Sequence, residues 1–235
     1  MRDLYNLHKF YSNSKNSKQL NNRRKSFGYQ VLGFGSGGGV AFVLNDNGLF
    51  GYGQTGSKVS MTNIVANTGV VATDTTGVGT NRSTLASTQY GGDKAIFGFG
   101  TTGSVASMTN LVSNSGVVAS DVSGVGTARG GLAACSYDNL DKGIFGYGEV
   151  AASPYNASMT NLVSNVGVVG SDVSGVGTVG DSLAACEFGQ DRGIFGYGRS
   201  GPSNITNIVS NVGVCQSDVS GVGTARSYLS GCSYN

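Results

Sequence analysis

The chain has 235 residues, 40 of them glycine and 2 proline, no tryptophan, 12% charged residues and a formal net charge of +2. Charge this sparse, against roughly a quarter of an average soluble domain, leaves a disordered chain or a many-turned β protein; apolar β-formers at fixed positions favour the second. No apolar run approaches the ~20 residues of a membrane helix, and the single histidine, His8, excludes a Ser-His-Asp or Cys-His constellation in the body of the chain.

Residues 1–28 carry seven basic side chains and one acidic one, whereas 29–235 carry eight basic and twelve acidic. A basic arm therefore precedes a mildly acidic body. Residues 4–11, LYNLHKFY, place Leu4, Tyr5, Leu7, Phe10 and Tyr11 in a stretch that fits a short strand or an anchoring peptide; 12–25, ending in Arg23, Arg24 and Lys25, reads as a polar linker. On charge alone both nucleic acid and an acidic protein surface suit such an arm; protein is the expected partner and nucleic acid the disfavoured one. The N-terminus lacks the continuous apolar core of a secretory signal.

From residue 29 onward the chain is an array. The phenylalanine of an I/L-F-G-[YF]-G core recurs at Phe50, Phe97, Phe145 and Phe195, and the aspartate of a T/S-D-x-[ST]-G-V-G run at Asp74, Asp121, Asp172 and Asp218. A fixed spacing of about 48 residues means identical supersecondary units, placed at 31–72, 74–119, 121–170, 172–216 and 218–235.

Each copy holds four short β-elements in order. D-V-S-G-V-G comes first, with glycines that permit close approach. A small-residue run such as L-A-A-C is second, and G-I-F-G-Y-G, with the period-two rhythm of a strand, is third. M-T-N-L-V-S-N followed by G-V-V is fourth, and hairpin turns rich in Gly, Asn and Asp join the second and third. Four strands with tight connections at this period describe a propeller blade. The expected fold is an all-β propeller of four to five four-stranded antiparallel blades over 29–235, with the extended arm at 1–28. The fifth copy stops after its second element, which leaves an edge to be covered; residues 4–11 or 27–30 are the expected cover.

The run Phe42-Val43-Leu44-Asn45-Asp46-Asn47-Gly48-Leu49-Phe50-Gly51-Tyr52-Gly53 resembles the regulator-of-chromosome-condensation repeat. The array is also similar to kelch repeats, whose characteristic arginine is matched by Arg82, Arg129 and Arg226 and departed from at Gly180. Tyr52, Phe99, Tyr147 and Tyr197 replace the tryptophan common in both families. The resemblance implies the propeller architecture. Repeats of the I-F-G-Y-G kind further resemble those of bacteriophage and marine-virus structural proteins.

Among candidate sites, the four aspartates could ring a Ca²⁺, but each stands three residues before a turn glycine, where its carboxylate accepts backbone N–H groups, and the glycine-rich calcium loop is missing. The arginines could bind phosphate; pairing with the aspartates is the expected use. The Phe97/Phe99 and Phe145/Tyr147 pairs read as core. Cys135, Cys186 and Cys232 share one repeat position, point the same way and are expected as free thiols, as is Cys215. No cofactor is expected. Recognition is expected in the loops that vary between copies, above all 149–157 with Pro154 and Tyr155.

The expected function is that of a non-enzymatic structural or interaction protein of a virus or phage particle, a tail, fibre or decoration component. It is made in the host cytoplasm, anchored by its arm, homo-oligomeric and joined to other subunits without membrane insertion. A host surface receptor or glycan is a further candidate partner. The alternative is an intracellular propeller that scaffolds or regulates a partner protein, or a glycan-binding propeller.

Overall fold

The pleat of the I-F-G motif decides how the sheets meet. In a strand successive side chains leave on opposite faces, so Phe145 points to one face of its strand while Ile144 and Gly146 line the other. The computed structural model describes residues 46–198 and 200–234, all within the unit Leu44–Asn235. Among these residues it is all β, with eleven strands in four antiparallel sheets. The expected positions of the arm, including Leu4, Tyr5, Leu7, Phe10, Tyr11, Arg23, Arg24 and Lys25, lie outside the described residues.

Strands β1 (Gly48–Gly51) and β2 (Thr62–Val65) form a two-stranded sheet. Strands β3 (Ala86–Tyr90), β4 (Lys94–Gly98) and β5 (Thr109–Val112) form the next, in that order. The same meander follows as β6 (Ala133–Tyr137), β7 (Lys142–Gly146) and β8 (Thr160–Val163), then as β9 (Ala184–Phe188), β10 (Arg192–Gly196) and β11 (Thr206–Val209). The register repeats: Phe97 pairs with Ser87 and Asn110, and Phe145 with Ala134 and Asn161.

The sheets have two or three strands where four were expected. The D-V-S-G-V-G run supplies only single bridges, Val122 to Thr109 and Val173 to Thr160, and the preceding valines supply another, Val118 to Val112. The cause is local. Gly79, Gly126 and Gly177 sit at φ 83, 86 and 86°, which breaks the extended chain.

Successive sheets pack face to face, β3 against β6 and β6 against β9, with β7 on β3 and β10 on β6. The core is accordingly divided into one apolar cluster per junction: Tyr52, Phe97, Val112 and Val118 at the first, a group centred on Ile96, Phe99 and Phe145 at the second, and one centred on Ile144, Tyr147 and Phe195 at the third. Burying one such phenylalanine is worth about 1.5–3 kcal/mol. Each phenylalanine ring lies over a glycine of the preceding sheet. A Cβ on Gly98 would stand 2.7 Å from Phe145 Cζ, and one on Gly146 2.7 Å from Phe195 Cζ.

The residue after that glycine turns out of the strand with positive φ, 65° at Tyr52, 63° at Phe99 and 65° at Tyr147. Its ring then meets the next phenylalanine at centroid distances of 5.2, 5.2 and 5.3 Å, within the tilted aromatic range. Backbone hydrogen bonds continue the stack from copy to copy: Gly131 N–H donates to Thr84 O, Ser182 N–H to Gly131 O, and Tyr228 N–H to Ser182 O.

Candidate functional site

Every junction between described copies carries the same polar clasp. Thr80 donates its backbone N–H (2.9 Å) and its hydroxyl (2.6 Å) to Asp121 Oδ2 in the following copy. Thr127 does the same to Asp172 at 2.9 and 2.8 Å, and Thr178 to Asp218 at 3.0 and 2.7 Å. The other carboxylate oxygen accepts from an asparagine on the third strand of its own sheet: Asn110, Asn161 and Asn207 each donate Nδ2–H at 2.9 Å. Their second amide hydrogen goes to the carbonyl of Ala119, Gly170 or Gln216.

At two junctions an arginine completes the clasp. Arg82 donates to Asn110 Oδ1 and, at 2.7 Å, to Met108 O; Arg129 donates to Asn161 Oδ1. Both guanidinium groups are fully buried and lie over an aromatic ring, Tyr52 at 4.9 Å and Phe99 at 4.7 Å from the centroid, a cation–π arrangement that tolerates desolvation. Arg129 also stands 3.7 Å from Asp172. Burial pushes Arg129 down to about 10, with Asp172 opposing, so it stays charged at neutral pH. At Asp121 and Asp172 burial pushes upward, but the hydrogen bonds from the threonine and asparagine, with the arginine charge, hold both carboxyls below the ordinary range.

The aspartates thus accept backbone N–H groups, as the sequence suggested, but from the preceding copy and not from their own turn. Within the clasps, direct arginine–aspartate pairing occurs at Arg129 and Asp172; at Arg82 the asparagine stands between. Gly180 takes the arginine position at the third junction, and Arg226 is exposed, 4.3 Å over Tyr197. No group of three or more His, Cys, Asp or Glu side chains with metal-binding geometry occurs among the described residues. Phe97, Phe99, Phe145 and Tyr147 are buried core.

The asparagines were missed by sequence reasoning. The signal was present: Asn63, Asn110, Asn161 and Asn207 stand at one position in runs of β-formers, where asparagine is disfavoured unless its amide is used.

All four cysteines are free. Cys135 faces the next sheet, where Gly193 leaves it room; a Cβ there would lie 2.5 Å from its sulfur. Burial pushes its thiol up to about 12, so it is an inert apolar filler. Pro154 and Tyr155 lie in the 149–157 loop as expected; Tyr155 is 60% exposed. The loop is tied to the next copy by Asn156 Nδ2–H donating to Ser200 Oγ at 2.8 Å. A second repeated surface feature, unremarked in the sequence, is a row of exposed valines, Val70, Val117, Val168 and Val214. The following residue, Val118 or Val169, points into the core instead. Among the described residues no helix is long and apolar enough to cross a membrane.

The fold and site together define an all-β tandem-repeat protein in which Asp121, Asp172, Asp218, Arg82 and Arg129 are engaged where one copy meets the next. No protein-family model matches the chain, and no curated protein is significantly similar to it.

Proposed function

We propose that the chain is a non-enzymatic structural and interaction protein, its sheets acting as propeller-type blades, that serves as a tail, fibre or decoration component of a virus or phage particle. One observation supports this reading: three of the repeated aspartates and two of the repeated arginines, groups that a catalytic or metal site would need, are engaged in holding copy to copy, with Asp121, Asp172 and Asp218 clasped to the preceding copy's threonines. The basic arm at 1–28 anchors the protein to other subunits, and the 149–157 loop with exposed Tyr155 offers a contact surface to a receptor or glycan. The test is quantitative protein analysis of purified particles. Incorporation at a fixed copy number per particle supports the reading; absence from particles, with recovery of the chain bound one-to-one to a cellular protein, replaces it with the scaffold or regulator alternative.

A further inference from the structure

The internal junctions are templates for judging the two ends of the described stack. At each, a phenylalanine of the later copy lies on a Gly–aromatic pair of the earlier one: Phe97 on Gly51 and Tyr52, Phe145 on Gly98 and Phe99, Phe195 on Gly146 and Tyr147. At the second and third junctions a tyrosine packs there as well: Tyr90 lies with Leu111 against Gly167, and Tyr137 with Leu162 against Gly213.

At one end of the stack every plug is bare. Phe50, the equivalent of Phe97, Phe145 and Phe195, is 65% exposed. Asp74 accepts from Asn63 at 2.8 Å but has no threonine donor among the described residues. A cavity of about 260 Å³ is bordered by Leu49, Ile64 and Gly116, where the other two junctions hold a tyrosine beside the equivalent leucine and glycine.

At the other end the matching sockets are bare. A Cβ on Gly196 would meet only the Thr206 methyl, at 3.2 Å, and no ring. Thr224 stands where Thr80, Thr127 and Thr178 donate, and Arg226 where Arg82 and Arg129 reach an asparagine, yet Arg226 is exposed, lying over Tyr197 and donating to Thr224 O at 3.4 Å in place of an asparagine. Tyr234, at the repeat position of Tyr90 and Tyr137, is 93% exposed.

We propose that these surfaces are the two halves of one further junction, made between two copies of this chain. Phe50 of one copy seats on Gly196 and Tyr197 of the other. Thr224 donates to Asp74, Arg226 to Asn63, and Tyr234 fills the cavity beside Ile64 and Gly116. Among the described residues both halves are exposed at once and each is the complement of the other, so the occupant of each is a second copy. The contact is head-to-tail, and such contacts build rings when the rotation closes and filaments when it does not. The inference goes beyond the particle reading and stands on the two ends alone, so it holds equally for a scaffold.

The test is the mass of the full chain by light scattering across a concentration series, for wild type, Phe50→Arg and Tyr234→Ala. Both side chains are exposed, so unfolding midpoints should be unchanged. The expected result is a mass that rises with concentration for wild type, with the association constant lowered at least about tenfold by either substitution, as for a central interface anchor. A chain monomeric at every concentration overturns the proposal, and so does association indifferent to both substitutions.

Discussion

Replacing Gly98 with alanine probes the spacing between sheets directly. The new methyl would lie 2.7 Å from Phe145 Cζ and 3.1 and 3.2 Å from Cε1 and Cε2. The ring has nowhere to go, being fully buried and met edgewise by Phe99 at 5.2 Å. Overpacking of this kind costs about 1–3 kcal/mol, and the lost freedom of glycine in the unfolded chain returns about 0.4–1 kcal/mol. The net destabilisation is then about 1–2 kcal/mol, or a melting temperature lowered by roughly 3–6 °C for a chain of this size. Gly146→Ala should behave alike, since its methyl would meet Phe195 at 2.7, 3.0 and 3.1 Å. Gly196→Ala is the control, with only the Thr206 methyl at 3.2 Å, and should stay within about 0.5 kcal/mol of wild type. Urea unfolding of the three variants, at a concentration where the chain is monomeric, measures the differences. If Gly98→Ala and Gly196→Ala were equally stable, face-to-face packing of phenylalanine on glycine would be wrong.

Asn161→Ala removes the acceptor of the buried Arg129, whose Nε and Nη1 already lack hydrogen bonds; a loss of about 2–3 kcal/mol is expected, whereas Asn63→Ala, with no arginine on it among the described residues, should cost less than about 1 kcal/mol by the same unfolding assay. Asp121 and Asp172 have carboxyls held below their unfolded value of about 3.9. Their stabilisation is therefore complete above that value and lost as pH falls through the lower folded one, so the acid unfolding midpoint should rise in Asp172→Asn; an unchanged midpoint would remove the clasp from the energetics. A maleimide at about pH 8 should label Cys232 first and Cys135 only on unfolding, because Cys232 is exposed and Cys135 is a buried thiol pushed up to about 12; comparable native rates, read by mass spectrometry, would contradict its placement.

Much of the fold was legible because the repeat supplies its own alignment. The period-two rhythm of I-F-G-Y-G located β4, β7 and β10, and the small-residue runs located β3, β6 and β9 beside them. The D-V-S-G-V-G element was read as a strand because its glycines permit close approach to neighbours, but the glycines at 79, 126 and 177 are left-handed, and backbone angles of that kind are not reported by hydrophobic pattern. The aspartates were recognised as structural from their turns, but which copy they serve depends on three-dimensional stacking, which sequence spacing leaves open. Asn110 and Asn161 went unnoticed because a search for chemistry looks for acids, bases and thiols, and an amide enters only once a buried arginine needs an acceptor. The end surfaces became visible only by comparing exposure at equivalent positions, Phe50 against Phe145 and Tyr234 against Tyr137.

The most direct test of copy-to-copy contact as the working surface is a mixing experiment. One chain carries Phe50→Arg, which disables its plug end, and the other carries Tyr234→Arg, which disables its socket end. Each alone should remain monomeric by light scattering, and an equimolar mixture should form a dimer and nothing larger, through the one intact plug and the one intact socket. A mixture that stays monomeric, or single variants that still associate as wild type does, would contradict it.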